Sequence, residues 1–95
     1  MVIKGCPVRK SHVVWRDIAG EVVIAERNDT LHVLNRTASL IWRLADGNRQ
    51  MEDIISEICN RFDVTREEAL LDAEESCREL LQAGLVTMNG HSETT

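Results

Sequence analysis

The residues of this chain best suited to acid–base, nucleophilic or metal chemistry are three histidines, His12, His32 and His91, and three cysteines, Cys6, Cys59 and Cys77. None of their spacings makes a site. No H-x-H or H-E-x-x-H pattern brings two imidazoles onto one metal, and no carboxylate stands at ligand spacing from them. The cysteines are odd in number and far apart, without the C-x-x-C pair of a zinc site or redox centre, so they read as reduced thiols. Cys59 and Cys77 fall on apolar helix faces, where a thiol acts as a small hydrophobe. The serines lack a G-x-S-x-G setting, and the glycines lie in turns or termini rather than in a phosphate-cradling loop. The pattern implies no catalytic residue, no metal and no cofactor.

What remains is the chemistry of recognition, and two features carry it. The stretch Thr30, Leu31, His32, Val33, Leu34 reads as a strand at the edge of a sheet, and it lacks the proline or lysine that would blunt such an edge. An open edge offers unpaired N–H and C=O groups to an added strand. The second feature is a strip beside the apolar stripe of a helix downstream, Leu71, Glu74, Arg78 and Leu81 at 100° per residue, where apolar ends bracket an acid and a base. A fully solvated face has no need of Leu71. His32 reads as an exposed strand residue rather than a general base.

The elements that must position these groups follow from periodicity. Val13-Val14-Trp15, Val22-Val23-Ile24 and Leu31 with Val33 are short β-branched or aromatic runs separated by Ala19-Gly20 and Asn28-Asp29, which predicts a three-stranded meander. Leu31 and Val33 alternate with Thr30 and His32, as in a strand with one face packed. Asn35 then caps a helix whose residues Ala38, Ile41, Trp42 and Ala45 recur at helical spacing, and Asp46-Gly47 ends it. Met51, Ile54, Ile55, Ile58, Cys59 and Phe62 predict a second amphipathic helix. Thr65-Arg66-Glu67-Glu68 is a capping box opening a third, striped by Ala69, Leu70, Ala73, Cys77, Leu80 and Leu81 and stopped at Gly84. The expected fold is α+β, winged helix-turn-helix-like, a three-stranded antiparallel β-meander followed by three α-helices. Residues 8–86 form the domain, with a flexible N-terminus over 1–7 and a flexible tail over 87–95.

Composition narrows the partners. The chain has 95 residues, no tyrosine and 3 % aromatic residues, so its core must be mostly aliphatic. No apolar run approaches the roughly 20 residues that cross a bilayer, and the N-terminus lacks the apolar core of a signal peptide, which implies a cytoplasmic protein without a membrane partner. Residues 1–36 carry six Lys/Arg against four Asp/Glu, whereas residues 37–95 carry five against twelve. The third helix alone has Glu67, Glu68, Asp72, Glu74, Glu75 and Glu79 against Arg66 and Arg78. A helix of net charge −4 in the recognition position repels a duplex, so no nucleic-acid partner is expected.

LNRTASLIWRLADG over Leu34 to Gly47, the helix start Met51-Glu52-Asp53-Ile54-Ile55, then Asp72-Ala73 followed by Leu80 and Gly84-Leu85, resemble the PqqD-like family. Its members are peptide chaperones, also called recognition elements for ribosomally made, modified peptides. The resemblance spans nearly all of residues 8–86. It implies a non-catalytic domain that binds the leader of a precursor peptide by strand addition and presents it to a modifying enzyme such as a radical SAM protein, leader protease or cyclase. Carried onto this sequence, the backbone of Thr30 to Leu34 pairs with the leader, and Leu71, Glu74, Arg78 and Leu81 line the opposite wall. Arg36 and Ser76-Cys77 depart from the family's usual residues at those places, which bears on leader preference. The protein is expected as a monomer or homodimer. The competing readings are a winged-helix DNA-binding regulator and a structural domain that dimerises through its open sheet edge.

Overall fold

Ala19 and Gly20 both take positive φ, 54° and 90°, the two-residue turn whose twist matches that of the strands on either side. It joins β2 (Val14–Ile18) to β3 (Glu21–Ala25), paired antiparallel from Val14↔Ala25 to Ile18↔Glu21. Asp17 accepts a hydrogen bond from Gly20 N–H at 2.9 Å and steadies the turn. A second turn, with Asp29 at φ 65°, leads to β4 (Leu31–Val33), which pairs with β3 in the register Val23↔Val33, Ile24↔His32, Ala25↔Leu31. The sheet order is β2-β3-β4, so β4 is an edge. The computed structural model from which these features are described covers residues 4–89; His91, residues 1–3 and residues 90–95 of the expected termini lie outside it.

The meander and three helices match the expected α+β fold. Asn35 accepts Ala38 N–H at 2.8 Å and opens α1 (Arg36–Leu44). Gln50 N–H donates to Asp53 at 3.2 Å at the start of α2 (Met51–Phe62), which Asp63 ends in the left-handed region. Thr65 and Glu68 exchange the two bonds of the capping box at α3 (Arg66–Gln82), and Gly84 at φ 73° stops it. The core is aliphatic around one large ring: Val22, Ile24, Ile41, Trp42, Ile54, Ile58, Ala73 and Cys77 are fully buried. Burial also pushes the Cys77 thiol up from its ordinary pKa, which suits a packing role.

Two sequence expectations change. Cys6–Arg9, which overlaps the expected N-terminal segment, forms a strand, β1, that pairs antiparallel with a final strand, β5 (Val86–Asn89). Pro7 is tolerable there because the pair is only two strands wide and leaves edge positions free. This clasp also reaches the helices: Arg9 N–H donates to Ala45 O at 3.0 Å, Arg9 Nη1 to Trp42 O and Arg43 O at 3.0 and 2.9 Å, and Met51 N–H to Gly5 O at 3.0 Å. Arg9 thereby satisfies carbonyls left open at the end of α1.

The second change concerns which face of β4 is packed. Leu31 and Val33 are 66 % and 68 % exposed, while His32 is half-buried and Leu34 buried. The central strand decides this: Val22 and Ile24 face the core, and cross-strand partners share a face, so His32 opposite Ile24 must turn inward. The outer face of the sheet consequently exposes Val14, Ile18, Leu31 and Val33.

Ser39, fully buried in α1, joins the layers. Its Oγ accepts Val22 N–H at 2.8 Å and donates to Leu34 O at 3.2 Å, satisfying the ladder where β4 has already turned into a helix. Ser39→Ala should destabilise the domain by about 1–3 kcal/mol in urea unfolding, because a buried N–H loses its acceptor. A change below the error of the measurement would show that the contact carries no stability.

Candidate functional site

The open edge can be read atom by atom. Leu34 N–H donates to Val22 O at 2.9 Å and Glu26 N–H to Thr30 O at 2.9 Å, so by antiparallel alternation His32 spends its N–H and C=O on Ile24. The N–H and C=O of Leu31 and Val33 therefore point away from β3. The other edge, β2, turns the backbone of Trp15 and Asp17 outward by the same alternation. It carries Arg16 and Asp17 at mid-strand, which discourage pairing, and Asp17 is ion-paired to Arg43. β4 carries no Lys, Arg, Asp or Glu.

A cleft of about 230 Å³ runs beside β4. One wall is His32, Val33 and Leu34; the other is the α3 face of Ser76, Glu79, Leu80 and Ala83, with Ala38 and Leu85 between them. It exists because α3 packs on α1 and α2 rather than on the sheet. The apolar groups at its base, with one carboxylate at the rim, suit an apolar side chain carried on an extended peptide.

His32 is fixed within this wall. Its Nε2 lies 2.7 Å from Glu26 Oε2, and Glu26 Oε1 lies 2.6 Å from Lys10 Nζ. The Lys10 ammonium foremost, then the His32 ring, holds the Glu26 carboxyl below the usual carboxylate range. His32 is thus neither solvent-exposed, as the strand pattern suggests, nor next to a nucleophile. Among the described residues no group of three or more His, Cys, Asp or Glu is disposed to hold a metal ion.

The structure gathers the β4 half of the expected site and disperses the other half. Leu31 and Val33 present the free edge, His32 and Leu34 line the cleft, and Thr30 is half-buried at the start of the strand. Leu71, Glu74, Arg78 and Leu81 do not reach it. They lie about 170° round α3 from the strip that does, with Leu71 and Arg78 exposed, Glu74 half-buried and Leu81 packed against the core. A helical wheel shows that a strip exists without showing which flank meets a neighbour. The available signal was Ser76, a polar residue inside the apolar stripe, together with Glu79 and Ala83 one and two turns on.

The cleft continues past the end of β4. A second depression, of about 500 Å³, shares Ser76 and is bounded by Asn35, Arg36 and Thr37 at the start of α1, by Glu21, by Phe62 and Val64, and by Asp72 and Glu75 of α3. Arg36 Cζ lies 4.4 Å from the centre of the Phe62 ring.

Comparison with known proteins adds two findings. Residues 20–86 match the model of the family described as coenzyme PQQ synthesis protein D (PqqD). The fold is similar to a solved structure described as TbiB1 in complex with the TbiA(beta) leader peptide, with a TM-score of 0.71 and 26 % sequence identity. That similarity covers 90 % of this chain and 99 % of the other. No curated protein matches this chain.

The Glu26 network carries a pH dependence. A carboxyl with a folded-state pKa below its unfolded value stabilises the fold above that unfolded value, and the contribution disappears as pH falls through the folded one. In thermal melts from about pH 7 to about pH 3, wild type should lead Glu26→Gln at neutral pH and lose that lead on acidification. A gap that is constant across the range would contradict this account.

Proposed function

The chain belongs to the PqqD family, and from that footing we propose that it is a non-catalytic cytoplasmic domain that binds the leader of a ribosomally made precursor peptide. The observation that carries this reading is the open edge of β4, free of Lys, Arg, Asp and Glu, with a cleft running beside it. The leader adds as a fourth strand, exchanging main-chain bonds with the N–H and C=O of Leu31 and Val33. Alternate leader side chains then fall on two surfaces. One set meets Leu31 and Val33 on the outer face of the sheet, and the other enters the cleft between His32 and Leu34 on one side and Ser76, Glu79, Leu80 and Ala83 on the other. Both surfaces favour apolar residues. The similar fold solved with a leader peptide supports the same occupant.

Backbone pairing makes few sequence demands, so the alternating side chains select the leader. Once the leader is held, the core of the precursor is tethered at high effective concentration to whatever this domain docks on. A radical SAM enzyme, a leader protease or a cyclase would gain substrate in that way. Duplex binding is disfavoured by the same α3 wall, whose Asp72, Glu75 and Glu79 carry no compensating lysine or arginine.

The test uses synthetic leader segments from short precursor genes beside the gene for this chain, titrated calorimetrically. Val33→Pro removes an outward donor and leaves the β3–β4 ladder intact, so it should weaken binding about tenfold while the domain stays folded. His32→Pro breaks the internal ladder and should unfold the edge itself. Arg78→Glu, on the far side of α3, should leave affinity within about twofold. Equal affinity of wild type and Val33→Pro would remove β4 from the site.

A further inference from the structure

The groove does not stop where β4 stops. Ser76 lines both the cleft beside β4 and the depression at the start of α1, so a peptide leaving the ladder near Val33 passes directly into the second space. The chain itself turns away there, because Asn35 has capped α1. Beyond that point no strand partner remains, and side chains alone must hold the peptide.

The lining of this annex is charged. Glu21, Asp72 and Glu75 face it, and among the described residues none of the three makes an ion pair. Arg36 is the cation of the lining, and it lies over the Phe62 ring at 4.4 Å rather than against any of those carboxylates. A guanidinium stacked in that way keeps its aromatic attraction while leaving the acids unneutralised. Independently, Ser76 is 4 % exposed and its hydroxyl has no hydrogen-bond partner among the described residues. The other buried serine, Ser39, has both its bonds made inside the protein. Ser76 lines both spaces, so its hydroxyl at the floor of the groove is open to a polar group arriving from outside.

We propose that this annex is a subsite for a basic side chain, lysine or arginine, carried by the bound peptide within about four residues of the end of its β4-paired stretch. The proposal rests on the peptide-binding reading above. Glu21, Asp72 and Glu75 supply the charge, and the Ser76 hydroxyl accepts a hydrogen bond from the incoming ammonium or guanidinium. The preferred leader is thus apolar and alternating where it pairs with β4 and basic just past it, on the side toward the N-terminus of α3.

Random peptides displayed on phage or ribosomes and selected on the intact chain test this without a known leader. Wild type should enrich sequences with Lys or Arg at a fixed offset from an alternating apolar stretch. The double variant Asp72→Lys/Glu75→Lys changes two exposed side chains, so it should fold, as judged by circular dichroism, and still select alternating apolar peptides without the basic position. A peptide enriched by wild type should bind the double variant about three- to tenfold more weakly at low salt, with the gap closing as salt rises. Enrichment of β4-dependent peptides, lost in Val33→Pro, with no basic position or with an acidic one at that offset, would overturn the subsite and leave the peptide-binding reading standing. Failure to enrich any β4-dependent peptide would overturn both.

Discussion

The structure depends on a handover at Leu34 and Asn35, where a strand must become a helix without leaving buried backbone groups unpaired. Asn35 takes the Ala38 N–H, and Ser39, one residue further into the helix, takes the Val22 N–H that a longer β4 would have satisfied. A buried donor left open costs about 1–3 kcal/mol, so the Ser39 hydroxyl stabilises the short β4 where a helix passes under the sheet.

The rest of the fold frames the cleft beside β4. α3 packs on α1 and α2, and the β1–β5 clasp ties the chain ends to the last turn of α1 through Arg9. Trp42 fills the centre of the core, with Trp15 set edge-on at 6.0 Å and Arg9 Cζ 5.8 Å from the Trp15 ring. Between α3 and β4 the cleft of about 230 Å³ is left. A rigid, partly lined groove binds with less ordering cost than one that must form around its ligand.

Much of this was legible in the residues. Each helix announced itself through a cap and a stripe, and the Asn35, Thr65 and Gly84 signals correspond to the observed boundaries. The β1–β5 pair was not legible because four-residue strands far apart in sequence carry neither alternation nor a hairpin turn. The inward turn of His32 was hidden for a related reason: a half-turn of register exchanges the faces of a strand, and only pairing with Ile24 fixes it. On α3 the wheel offered Leu71, Glu74, Arg78 and Leu81 as readily as the strip that faces β4, since helix periodicity contains no information about neighbours. Ser39 and Ser76 stand in the sequence as polar residues within helices, and periodicity does not show that the first closes the β3 ladder while the second faces the groove.

The most direct measurement is amide protection, followed by NMR hydrogen exchange with and without a bound leader segment. The His32 amide is committed to β3 and should be protected in both states, whereas the Leu31 and Val33 amides should become protected only when the peptide is present. Protection arising instead at Trp15 and Asp17 on β2, or shifts confined to Leu71 and Arg78 with Leu31 and Val33 still exchanging freely, would contradict strand addition at β4.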